Sequence, residues 1–148
     1  MTALNAPRNL PKIAMLTVFA MLLWALVLAG CKTGVGTQAV EKYNQNPLIV
    51  SIPSTLSPKE VEEVMTLTLS SRGWTVVQQS PQEVVGKLDH RGFDAKTTLK
   101  VDGNLIKILN DSYFKSEGGK REPGIPKGWL ENLQKDLQTR LATKAGQK

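Results

Sequence analysis

The chain reads as an α+β protein, a two-layer sandwich in which an antiparallel sheet carries two helices on one face, in the order β-α-β-β-β-β-α. Three observations predict it. Apolar residues alternate with polar ones in short stretches between Trp74 and Leu109, and they recur at spacings of three and four from Val61 to Leu69 and again from Leu130 to Leu141. Gly, Pro, Asn and Asp fall between these stretches, where turns belong. Each helix and the sheet has an apolar side to bury, and stacking them buries all of these sides in one core.

The elements follow in chain order. Residues 1–12 carry Arg8 and Lys12 and no acid, and Ile13 to Val27 is apolar except for Thr17. An apolar run of fifteen residues is short for a bilayer-spanning helix, which needs about 20, but suits the h-region of a signal peptide. Residues 1–30 are therefore expected to be cleaved off. The run ends on Leu28, Ala29, Gly30 and Cys31, which resembles the lipobox of bacterial lipoprotein signal peptides. The resemblance implies that Cys31 becomes an S-diacylglycerol and N-acyl cysteine after cleavage, so that the protein holds its membrane through covalent lipid. A thiol forms the thioether, and small Ala29 and Gly30 let an extended chain enter the processing enzymes. Two or three acyl chains at about 0.8 kcal/mol per buried CH₂ suffice for stable anchoring. Lys32 stands where Asp would retain such a protein in the inner membrane; the resemblance thus implies the outer membrane, on its periplasmic face. The alternative is an uncleaved signal anchor followed by an ordinary free cysteine.

Residues 31–46 are rich in Gly, Thr, Gln and Asn without an apolar period, and are read as the lipidated Cys and a flexible tether. Residues 47–148 form a single domain. Its first strand, around Leu48 to Ile52, lies between Pro47 and Pro53 and belongs at a sheet edge. Ser57, Pro58 and Glu60 make a capping box with proline at the first helical position, and Val61, Val64, Met65 and Leu69 form the inner face of a helix that Gly73 ends. Strands are predicted at 74–78, 83–91, 94–101 and 105–109, with turns at Ser80-Pro81-Gln82, Gly92-Phe93 and Asp102-Gly103-Asn104. Residues 115–128, with four Gly and two Pro, read as a loop. A last helix from about Lys127 carries Leu130, Leu133, Leu137 and Leu141 as one stripe.

Composition excludes several functions. The formal charge of +6 falls by two when Arg8 and Lys12 leave, and no run of five basic residues occurs, so no nucleic-acid partner is expected. A single cysteine and a single histidine provide neither a disulfide nor a metal cage, and no cofactor or metal is expected. His90 is flanked by Asp89, whose side chain points to the opposite sheet face and cannot orient the ring. Asp111, Ser112 and Tyr113 end a strand and form a possible binding edge; the plainer account is that the ring packs over the core and Asp111 and Ser112 cap a turn. Trp74 and Trp129 should meet at one end of the core, and Gly86, in mid-strand, makes room for a helix or a bulge.

The stretches GWTVV, EVVGKLDHRGFDAKTTLKV, IKILNDSYF and GWLENLQKDLQTRL together resemble a group of small Gram-negative lipoproteins over about residues 47–141. The chain departs from them at Ile125, Pro126 and Lys127, where such sequences often carry His and Tyr. The resemblance implies a fold and no activity. The expected role is a non-enzymatic binding or assembly module with an envelope protein as partner. The alternative is an envelope hydrolase acting on lipid or cell wall through Asp111 and Ser112.

Overall fold

The computed structural model describes residues 36–116 and 118–147. The expected signal segment 1–30, with Leu28, Ala29 and Gly30, lies outside the described residues, and so does Cys31. The elements are α1 (Thr37–Gln45), β1 (Leu48–Ser51), α2 (Pro58–Ser71), β2 (Thr75–Ser80), β3 (Glu83–His90), β4 (Phe93–Asp102), β5 (Leu105–Asn110), β6 (Ser112–Lys115), β7 (Arg121–Gly124) and α3 (Lys127–Ala145). Among the described residues, seven strands in one antiparallel sheet and three helices make an α+β fold. One helix and two strands more than the expected order β-α-β-β-β-β-α are present.

The strand order is β1-β5-β4-β3-β2, with β6 pairing β4 and β7. The two strands β5 and β6 share one side of β4: β5 pairs with Thr97 to Asp102, and β6 with Phe93 and Asp94. The break between them is Asp111, whose N–H donates to Lys96 O at 2.9 Å. β1 lies at an edge, as its flanking prolines require, and Gln134 of α3 reaches over to donate from Nε2 to Ile49 O at 2.9 Å.

The long helices begin and bury as their sequences dictate. Ser57 Oγ accepts from Glu60 N while Glu60 Oε2 accepts from Ser57 N, which satisfies two donors that the first turn leaves open. Met65 and Leu69 of α2 and Leu130, Leu133, Leu137 and Leu141 of α3 share one core with Val84, Leu99, Ile106 and Ile108 of the sheet. Gly86 gives α2 its close approach. A Cβ there would stand 2.9 Å from Leu69 Cδ2.

Two expectations need correction. The segment read as a flexible tether through residue 46 contains α1, and the domain therefore starts near Gly36 rather than at 47. No residue of α1 is fully buried; Tyr43 packs against the core and its hydroxyl donates to Ile108 O at 2.9 Å, so tertiary bonds rather than an apolar stripe hold this helix. The segment 115–128 is likewise not all loop, because Arg121–Gly124 pairs with β6 in the register Ser112↔Gly124 to Lys115↔Arg121. Pro123 is tolerated there. Its carbonyl points outward and accepts from Gly36 N at 2.7 Å, so the missing N–H also falls on the side away from β6.

Candidate functional site

The predicted edge at Asp111, Ser112 and Tyr113 is a junction whose three side chains go different ways. Asp111 is exposed at the break between β5 and β6, and its Oδ2 accepts from Lys96 Nζ at 2.8 Å. That hydrogen bond, and the charge behind it, holds the Lys96 ammonium above its ordinary value. Ser112 is buried at 1% exposure. Its Oγ accepts from Lys96 N at 3.1 Å and gives its single proton to Asn110 Oδ1 at 2.7 Å. A serine nucleophile needs an approach for substrate and a base for its proton, and Ser112 faces the interior with its proton on an amide oxygen. Tyr113 is half-buried beneath Arg121, whose guanidinium carbon lies 4.7 Å from the ring centroid. Arg121 is also paired with Asp94.

Asn110 is the residue on which this junction turns, and sequence reasoning missed it. It is 2% exposed, and its polar groups join three other elements, α1, β6 and β7. Its Nδ2 donates to Gly124 O at 2.9 Å, which ties β5 to β7. Its backbone N–H donates to Asn44 Oδ1 at 2.9 Å, and its backbone carbonyl accepts from Asn44 Nδ2 at 2.8 Å. β1 begins at Leu48 opposite Ile108, so Asn110 lies beyond the reach of that strand. The Asn44 amide thus stands in for the missing strand. A side-chain amide presents the same donor and acceptor as a peptide group, and so completes the ladder where backbone ends. Nothing in an isolated Tyr43-Asn44 pair signals this, because the partner is 66 residues away.

At one end of the sheet an aromatic cluster closes the core. Trp74 and Trp129 meet edge to face with centroids 6.5 Å apart, and Phe93 stands 5.6 Å from Trp129 and 5.3 Å from Phe114. His90 lies 5.9 Å from Trp129. A cleft of about 280 Å³ opens there between Arg72, Trp74, His90, Trp129 and Asn132. Of its two lining arginines, Arg72 donates to both Asp136 oxygens at 2.6 and 2.9 Å and Arg91 is exposed, while Asp89, beside the cleft in sequence, pairs with Lys115 rather than with His90. The ring of His90 therefore has a tryptophan beside it, and Asp89 does not orient it.

A second groove, about 370 Å³, lies between α2 and the C-terminal end of α3 and is lined by Val64, Leu67, Arg140, Thr143 and Lys144. Leu67 is 54% exposed on its rim. Its apolar floor and charged margin suit an aliphatic side chain better than a polar substrate. Among the described residues, no group of three or more His, Cys, Asp or Glu could hold a metal ion, and no helix is long and apolar enough to cross a membrane. No family model matches the chain, and no curated protein matches it either.

Proposed function

We propose that this chain is a lipid-anchored envelope lipoprotein, held on the periplasmic face of the outer membrane by acylated Cys31 and acting as a non-enzymatic binding or assembly module. The observation that carries the reading is the unbroken order of two N-terminal cations, a fifteen-residue apolar run and Leu28-Ala29-Gly30-Cys31, with no second cysteine in the chain. The domain supports it in a limited way: the side chains with chemistry to offer are engaged in structure, Ser112 with Asn110, Asp111 with Lys96 and Arg72 with Asp136. The finer architecture belongs to the same proposal, a two-layer sandwich with α2 and α3 on one face and the other face open. An envelope protein is the partner such a module serves.

Mass spectrometry of the protein extracted from membranes tests the anchor. The N-terminal peptide is expected to begin at Cys31 and to carry the mass of two or three acyl chains, and Cys31→Ser is expected to accumulate as uncut precursor. An intact Met1, or a free thiol at Cys31, overturns the reading.

A further inference from the structure

We propose that the β6–β7 hairpin is the face this domain turns toward the bilayer, resting on the headgroups of the leaflet that holds its own lipid. The inference rests on the proposal that Cys31 is acylated and adds to it an orientation. Its first support is covalent reach. Gly36 is fixed to β7 by its N–H bond to Pro123 O at 2.7 Å. Five residue steps separate Gly36 from Cys31, and a fully extended chain covers at most about 3.6 Å per step, or roughly 18 Å. A domain of this size is about 30 Å across. A leash shorter than the body, attached at one edge, keeps that edge down. The helix α3 starts just beyond β7 and runs for 19 residues, about 28 Å at 1.5 Å per residue. The groove at its C-terminal end therefore lies beyond the reach of the leash.

The second support is what the hairpin presents. Phe114 is one of the four large apolar residues exposed among the described residues, at 36%. Half-buried Tyr113, next to it in the strand, points to the other sheet face beneath Arg121, so the hairpin carries one ring on each face, and Lys115, Lys120 and Arg121 are exposed on the same hairpin. Aromatic rings interleaved with cations are the composition found at the level of lipid headgroups, where a ring can sit half in an apolar layer and an ammonium can meet a phosphate. The charge by itself is too small to set the orientation. Glu117 and Glu122 offset two of the three cations, and Lys115 and Arg121 are also paired with Asp89 and Asp94. The short leash decides which face is down, and the aromatic edge is what meets the surface. Contact should therefore survive high salt, unlike that of a polybasic segment.

The test uses the processed, acylated protein, beginning at Cys31, in vesicles of phosphatidylethanolamine and phosphatidylglycerol. Acylation consumes the thiol of Cys31, so a new cysteine is the single site for a fluorophore. Lys120→Cys labels the hairpin, and Ala142→Cys, exposed on α3 at its far end, is the control. Quenching by headgroup-labelled lipid is expected to be severalfold stronger at position 120 than at 142, and equally so in low and high salt. Equal quenching at the two positions, or stronger quenching at 142, overturns the orientation. So does a difference that vanishes in high salt, because charge and not the leash would then set it. The intact mass of the same samples separates the two proposals. A protein without acyl chains overturns the anchor and the orientation together, whereas an acylated protein with equal quenching overturns the orientation alone.

Discussion

Under α2 and α3 the sheet is held by apolar burial, with Leu69, Leu99, Ile106, Leu133 and Leu137 all fully withdrawn from water. Toward the N-terminal end of β4, the edge made by α1, β6 and β7 buries Asn110 and Ser112 instead, and is held by directed bonds from Asn44, Tyr43 and Asn110. The first region tolerates changes of chemistry that keep volume, because apolar attraction is not directional. The second tolerates little, because each bond has one geometry and a buried partner left alone keeps its desolvation cost. The difference also separates roles: burial makes the body of the domain, whereas the polar junction fixes the point at which the N-terminal segment joins it.

The largest expected effect is in the apolar half. Leu133→Ala removes methyl groups at a position of 0% exposure and should cost about 2 to 5 kcal/mol in urea unfolding. A midpoint that does not move would mean that α3 is not part of the core and would dissolve the contrast between the regions. At the junction, Asn44→Ala leaves both the N–H and the carbonyl of Asn110 without their partner. It should cost about 1 to 3 kcal/mol. Native-state hydrogen exchange sharpens this: the Asn110 amide should exchange faster in Asn44→Ala, while amides of β4 opposite β3 stay protected. If both sets accelerate equally, the edge and the core unfold as one unit and the distinction is only descriptive.

The smallest effect concerns Tyr43, which lies between the two regions. Burial pushes its hydroxyl up to about 12 from 10.0, a hydrogen bond from the Leu48 backbone works against that, and the charge of Glu131 adds to it. A raised folded value means that the protonated form is favoured in the fold. The contribution is therefore complete below pH 10.0 and is lost as pH rises from 10.0 through about 12. Tyr43→Phe should cost about 1 kcal/mol at neutral pH through the lost bond to Ile108 O. Melts above pH 10.0 should show a shallower loss of stability in the variant than in the parent. Parallel curves would show that Tyr43 titrates alike in the folded and the unfolded chain and so is not held as its hydrogen bond to β5 implies.

How far these features were legible in the sequence follows the same divide. The capping box at Ser57 and Glu60, the hairpin at Asp102-Gly103-Asn104 and the leucine stripe of α3 involve residues a few positions apart, so their spacing alone declares them. Trp74 and Trp129 each follow a glycine at the start of an element, which brings them to one end of the core, where they meet. By contrast, α1 has only Val40 and Tyr43 as large apolar residues among Gln, Glu and Lys, and one pair three positions apart is too short a pattern to declare a helix. β7 is Arg-Glu-Pro-Gly, whose last two residues are loop signals by any local rule.

The sequence by itself determined the α+β class, both long helices and the apolar core, because hydrophobic period and capping are local properties that survive in an unfolded chain. Only the tertiary structure decided where the domain begins, that a proline-bearing tetrapeptide is a strand, and that Ser112 faces inward. Those outcomes depend on groups brought from far along the chain. The strand β7 exists because β6 offers it a ladder, and Pro123 fits because its absent N–H falls on the outer side. The helix α1 stays on the sheet because Ile108 and Asn110, 65 and 66 residues away, hold groups that only Tyr43 and Asn44 are positioned to meet.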